Sequence, residues 1–347
     1  MNLPEDPDWL SPERIEGARK VMEERVARRD FLKRACGWAG GLVLAGALGG
    51  VIGCGAEEVA KNTAPASSPA TTPAAANPAG ADLAIARGSG DPGVLARKAV
   101  DALGGMGRFV KPGNVVVIKP NASFMDGPQG GTSTHPSVVS EVISMCRQAG
   151  AGRVIVTDHC LRGDYQTCFE KNGIGAAVRA AGGEVIAYGG SDSSQGRVTQ
   201  IPGGVAMRQA SIYPVVLDAD VFITVPKAKH HSGAGLSLGM KNLIGVTANM
   251  SNVHNNGLHE GIADIASVVR PDLSVIDASI VLTSNGPGGP GQIKDLGTVI
   301  ASSDFVAADS YACTLFGMTP ESVGYVAAAG RRGLGKTDYN SLKIANV

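Results

Sequence analysis

Lys227-Ala228-Lys229-His230-His231 places two ammonium groups and two imidazoles within one short stretch of the chain. With Lys241 and Asn242 a little further on, they outline an electropositive pocket whose natural ligand is a carboxylate or a phosphate. Gly233, Gly235 and Gly239 would let backbone N–H groups come close to such an anion. The Gly-x-x-x-x-Gly-Lys-Ser/Thr order of a phosphate loop is absent. Three further sets of polar residues stand just beyond apolar runs: Lys119 with Asn121, Asp158 with His159, and Asp277. Taken singly each is an ordinary solvated loop charge. Taken together they sit where open α/β sheets bind ligands, outside the carboxyl ends of the strands.

The residue types assign roles. His135, His230, Lys227 and Lys241 are the candidates for proton transfer or nucleophilic work. Lys119, Asn121, Lys229 and Asn242 are the candidates for holding an anion. A metal ion is a candidate cofactor, with Asp158, His159, His231 and Asp277 as its ligands. His254, His259 and Asp264 are further donors within the same reading, and all histidines are expected in loops or at helix starts. No pair of histidines is spaced four apart around a glutamate. No Cys-x-x-Cys occurs, so no iron–sulfur motif is carried by this chain. Ser237 lies in Gly235-Leu236-Ser237-Leu238-Gly239, but a basic stretch precedes it, which disfavours a serine hydrolase.

The elements that must position these groups read as α/β. Val115 to Ile118, Val154 to Val156, Glu184 to Tyr188, Val221 to Val225, Leu273 to Ile276 and Thr298 to Ala301 are short β-branched or apolar runs, the pattern of buried strands. Between them, helical periodicity runs from Pro136 to Cys146, from Gly173 to Ala181, from His259 to Val269 and from Asp304 to Phe316. The order predicts a mainly parallel, doubly wound sheet with flanking helices. Ser191 to Tyr213 is polar and glycine-rich and reads as a small β excursion.

The first 54 residues carry a different message. Arg28-Arg29-Asp30-Phe31-Leu32-Lys33 precedes a weakly apolar run from Ala35 to Gly53 that contains seven glycines. This resembles a twin-arginine export signal, with the twin-arginine translocation machinery as partner. A plain membrane anchor is the alternative, though so glycine-rich a run suits a span poorly. Val51-Ile52-Gly53-Cys54 resembles a lipoprotein processing site, which would place lipid on Cys54 and tether the protein in the periplasm. Residues 55–80 are rich in Ala, Pro, Ser and Thr and read as a linker; residues 81–347 are the folded part.

Lys plus Arg and Asp plus Glu both number 31, so no basic face for nucleic acid is advertised. Of the cysteines in the folded part, Cys146 and Cys313 fall within apolar helical patterns, and Cys160 with Cys168 is the pair best placed for a disulfide.

Several stretches together resemble the family catalogued as domain of unknown function 362. They are Val117-Ile118-Lys119-Pro120-Asn121, Thr134-His135-Pro136 and Val225 to His230. Met240-Lys241-Asn242-Leu243-Ile244-Gly245, Ile276-Asp277-Ala278, Asn285-Gly286-Pro287 and Ala308-Asp309-Ser310 complete the set. The resemblance implies the fold and the site but no reaction. It sometimes comes with ferredoxin modules, so a redox role here implies a separate redox partner. By residue types alone the cleft also resembles lactate racemase, which uses lysine and histidines near a nickel cofactor. The expectation is therefore an exported enzyme, redox or metal-dependent, acting on a small anionic substrate. The alternative is a lipid-tethered periplasmic binding protein for an anion or metal.

Overall fold

The structure, a computed structural model, describes residues 80–161 and 165–347. The export signal, Cys54 and the linker up to residue 79 lie outside the described residues. The amino-terminal half comprises β1 (Leu83–Arg87), α1 (Pro92–Ala102), β2 (Val115–Pro120), α2 (Pro136–Gln148), β3 (Arg153–Cys160), α3 (Tyr165–Lys171), α4 (Ile174–Ala180) and β4 (Glu184–Gly189). Then come β5 (Arg197–Gln200), β6 (Gln209–Ile212), α5 (Pro214–Leu217), β7 (Val221–Val225), β8 (Lys227–His231), β9 (Gly235–Ser237) and α6 (Gly239–Asn242). The remainder is α7 (Met250–Asn255), α8 (Leu258–Val268), β10 (Leu273–Leu282), β11 (Ile293–Ser302), α9 (Phe305–Thr314), α10 (Gly324–Arg331) and β12 (Ile344–Asn346).

One sheet runs in the order β12-β1-β11-β10-β7-β2-β3-β4, with β8 and β9 joined to it through β10. Strands β10, β7, β2, β3 and β4 are mutually parallel, while β11 runs antiparallel to both β10 and β1. This is a mostly parallel α/β sheet with flanking helices. Alternation along each strand divides its side chains between two cores. Val116, Ile118, Val154 and Val156 pack with α1 and α2 residues such as Leu95 and Val142 on one face. Val117, Ile155, Phe222 and Ile276 pack with Ile262, Val306 and Val326 on the other. Burial on both faces is why these runs are continuously apolar.

The parallel register brings strand ends together. Lys119 lies opposite Thr224, and Asp277 lies opposite Lys227. Pro226 interrupts the strand between β7 and β8, and its carbonyl accepts the Asp277 N–H. Helix α2 starts at Pro136, whose missing N–H suits a first helical position. His135 is its cap, accepting the Ser137 N–H on Nδ1.

Two segments depart from the sequence expectation. Lys227 to His231 is not a basic loop but strand β8, and His159 lies within β3. Lys227 buries here because β10 supplies Asp277, and Lys229 buries on the Thr132 carbonyl and the Phe124 ring. Strand β1 and the edge strand β12 extend the sheet beyond the runs recognised above.

The β5–β6 pair forms a separate two-stranded sheet from the expected excursion. Asp264 on α8 holds its turn region, accepting the N–H groups of Val205, Ala206 and Met207 at 2.8–2.9 Å and an Arg332 guanidinium at 2.7 Å. Both charges are nearly buried. Asp264→Ala would leave Arg332 unpaired and should lower stability by about 3–5 kcal/mol, checked by the urea unfolding midpoint.

Candidate functional site

Four lysines and two aspartates gather toward the carboxyl-end side of the sheet: Lys119 on β2, Asp158 on β3, Lys227 and Lys229 on β8, Asp277 on β10 and Lys241 on α6. Two of the lysines are paired. Lys119 Nζ makes an ion pair with Asp158 and donates to the Asn242 side-chain oxygen at 2.7 Å. Asp158 also accepts from the backbone of Ala122 and His159 and from the Ser123 hydroxyl. Asn242 donates back to the Lys119 carbonyl and to Thr224, so its amide is fully used. Burial lowers the Lys119 ammonium, and the Asp158 carboxylate opposes that shift.

The second pair is Lys227 with Asp277, at 2.9 Å and wholly buried. Asp277 accepts from Ser279 N and Oγ and from the His135 backbone N–H as well. Burial alone would raise the Asp277 carboxyl, but Lys227 and these donors hold it below its ordinary range. Asn121 clamps the same corner. Its side-chain oxygen accepts the Lys227 N–H, and its backbone exchanges hydrogen bonds with Thr134.

Among the described residues Lys229 and Lys241 make no ion pair, though Asp158 favours the charged form of Lys229. Lys229, 1% exposed, donates to the Thr132 carbonyl and lies 4.6 Å from the Phe124 ring centroid. Lys241, 7% exposed, has no hydrogen bond or ion pair among the described residues. Burial, then repulsion from Lys241, pushes the Lys229 ammonium down to about 7. Burial, then repulsion from Lys119, brings Lys241 down to about 7 as well. Four ammonium groups against two carboxylates leave the cluster short of negative charge. Desolvated charge without a partner is unfavourable, and an incoming anion would relieve it.

Helix α6 carries Lys241 and is set by Asp309 on α9, which accepts the N–H groups of Gly239 and Met240 at 2.7 and 2.8 Å. A Cβ on Gly239 would stand 2.7 Å from that carboxylate, so the residue must be glycine. Gly245 is constrained likewise, its would-be Cβ 2.8 Å from both Asp158 and Lys119. Burial raises the Asp309 carboxyl to about 7.

Two histidines border Lys241. His231 Nδ1 accepts the N–H groups of Gly233 and Ala234, each at 3.1 Å, which assigns its proton to Nε2. Burial, then the neighbouring Lys241, lowers His231 to about 3, so it stays neutral. His254, stacked on it with ring centroids 6.5 Å apart, donates Nδ1–H to the Met250 carbonyl. Its Nε2 lone pair is therefore available, and burial and Lys241 favour the neutral form. One ring offers a donor and the other an acceptor. His254 is exposed, His231 is 7% exposed, and Lys229 lies deepest.

The structure thus gathers Lys119, Lys227, Lys229, Lys241, Asn121, Asn242, Asp158, Asp277 and His135 at one end of the sheet. It does not gather all their side chains for one task. His230 alternates onto the opposite face of β8 from Lys229 and His231. There it accepts the Gly286 N–H at 3.0 Å and lines a separate cavity of about 510 Å³. His159 is buried against Tyr213, Nδ1 to OH 2.7 Å. Asp158, His159, His231 and Asp277 each point to a different partner. Among the described residues no three of His, Cys, Asp and Glu group to hold a metal ion. His254, named above as a further donor expected in a loop, lies on α7 and is brought beside His231 by the fold alone. Cys160 and Cys168 are buried thiols, hydrogen-bonded to one another rather than joined as the expected disulfide.

The fold and site define an α/β protein with a cation-rich cleft at the carboxyl ends of its parallel strands. Residues 116–314 match the family described as Domain of unknown function (DUF362), and the chain belongs to that family. It is 29% identical over 255 residues to a thylakoid-associated protein of Synechocystis sp., covering 70% of this chain and 75% of that one. Among solved structures it is similar to the lactate racemase apoprotein from Thermoanaerobacterium thermosaccharolyticum, with TM-score 0.41 and 13% identity. That likeness covers 67% of this chain and 56% of the racemase. No helix among the described residues is long and apolar enough to cross a membrane.

Proposed function

We propose that this chain is an exported enzyme that binds a small carboxylate or phosphate at Lys229 and Lys241 and moves a proton on it. The observation that carries the reading is the pair of buried amines that make no ion pair among the described residues, beside two lysines that each make one. His231 Nε2–H would donate to a substrate oxygen, and His254 Nε2 would accept a proton. Lys119, Lys227, Asp158 and Asp277 hold the strand ends in place. The twin arginine and Cys54 support export by the twin-arginine route and a lipid tether. The name of the thylakoid-associated relative agrees with a membrane-proximal location.

Calorimetry with phosphate, lactate and pyruvate at pH 6 tests the anion. The wild-type protein should bind at least one, and Lys229→Met or Lys241→Met should weaken that binding at least tenfold, about 1.4 kcal/mol. Absence of binding for all three would refute the site. Exchange of carbon-bound hydrogens of pyruvate or lactate with deuterated water tests the chemistry. His254→Gln should keep affinity and lose exchange; a protein that binds but never exchanges is the tethered binder instead.

A further inference from the structure

Lys241 differs from the other three lysines of the cluster in what holds its amine. Lys119 and Lys227 face carboxylates. Lys229 has a carbonyl acceptor and an aromatic face, both of which favour its charged form. Lys241 has none of these among the described residues, and its amine is repelled by Lys119. An ammonium so placed gains nothing from its charge, and the free base of a desolvated lysine beside other cations is a nucleophile. Such an amine can hold an anion as its ammonium and, as its free base, attack a carbonyl carbon. Its fixed neighbours suit that use: Asp309 sets the start of the helix that carries it, and His231 presents an N–H beside it.

We infer that Lys241 forms a Schiff base with a small 2-oxo acid whose carboxylate rests on Lys229. The inference deepens the proposed anion site and depends on it. The Lys241 nitrogen lone pair attacks the carbonyl carbon, a C–N bond forms, and the C–O π pair moves to oxygen, to which His231 Nε2–H donates a hydrogen bond. Both amine hydrogens then leave with that oxygen as water, relayed by His254 Nε2. C=N replaces C=O, and one proton taken from solvent gives the iminium. No electron is gained or lost. The iminium carries a positive charge beside the substrate carboxylate, fixing covalently the charge that burial disfavours on the free amine. It also acidifies the hydrogens on the adjacent carbon, within the reach of chemistry that His254 could complete.

The test is reductive trapping. The protein is incubated separately with glyoxylate, pyruvate and 2-oxoglutarate, treated with sodium borohydride, and mapped by peptide mass spectrometry. The expected result is one reduced adduct per chain, on Lys241, with at least one of these acids, absent when lactate replaces them. Lys241→Arg should abolish the adduct while far-UV circular dichroism stays unchanged. Mapping of the unaltered protein carries the result even where that variant fails to fold. Pyruvate that binds by calorimetry, with none of the three acids trapped on Lys241, overturns the Schiff base and leaves the anion site standing. Failure of phosphate, lactate and pyruvate alike to bind overturns both.

Discussion

Lys227→Met should lower the stability of the folded domain by about 3–5 kcal/mol, the effect of breaking a buried ion pair by removing one member. Both side chains are wholly buried, so solvent screening gives no relief. The variant would leave Asp277 with its donors from Ser279 and His135 but no cation. The loss is a large share of the roughly 5–15 kcal/mol that holds a domain together. In a protein of this size it corresponds to a fall of roughly 10 °C in the thermal midpoint. The effect spreads because this corner joins β8, β10 and the start of α2.

The paired change Lys227→Met with Asp277→Leu should recover most of that loss, since two apolar groups of similar volume carry no uncompensated charge. A double-mutant cycle by urea unfolding reads the coupling directly. A single Lys227→Met that is as stable as the unaltered protein would show that the pair is not what holds this corner. Lys227 would then be free for the catalytic role its position in the sequence invites.

This corner also shows how far the residues could be read in advance. Val115 to Ile118 and Val221 to Val225 announced buried parallel strands because strands covered on both faces are apolar throughout. Their ends located the cleft by the topology rule for open sheets. The division of the lysines was not legible. Lys119 finds Asp158 and Lys227 finds Asp277 through pairings between strands far apart in the chain, and the alternating pattern of β8 is masked by buried charge. For the same reason His230 and His231, adjacent in sequence, part to opposite faces once the stretch is a strand. His254 rides on a short helix and meets His231 only through tertiary packing. Strands β1 and β12 are short; pairing with β11 and with each other makes them strands.

Raising the pH should weaken lactate binding steeply while making the ligand-free domain more stable. Lactate keeps its charge across the range, so the protein alone sets the slope. Lys229 and Lys241 both titrate at about 7 in the free protein. The groups around them are Lys119 on β2, Lys227 and His231 on β8, Asp158 on β3 and His254 on α7. An anion favours both ammonium forms, so binding takes up protons above pH 7. Affinity should be flat below about pH 6 and fall above 7 by up to about tenfold per pH unit for each amine. Between pH 6 and 9 the loss should approach roughly ten-thousandfold, about a hundredfold from each amine, and Lys241→Met should halve the limiting slope. The sign for stability is opposite. Both folded-state values lie below the ordinary lysine value, so above pH 7 the unfolded chain holds more protons than the folded one and stability rises with pH. The rise should be about 2 kcal/mol between pH 7 and 8. Higher pH brings in buried thiols such as Cys146, pushed up to about 12, which act in the reverse direction. Calorimetry across pH 5.5–9 reads the first slope and urea unfolding at pH 7 and 8 reads the second. Two slopes of the same sign, or a flat affinity, would mean that these amines are neutralised by something other than an arriving anion.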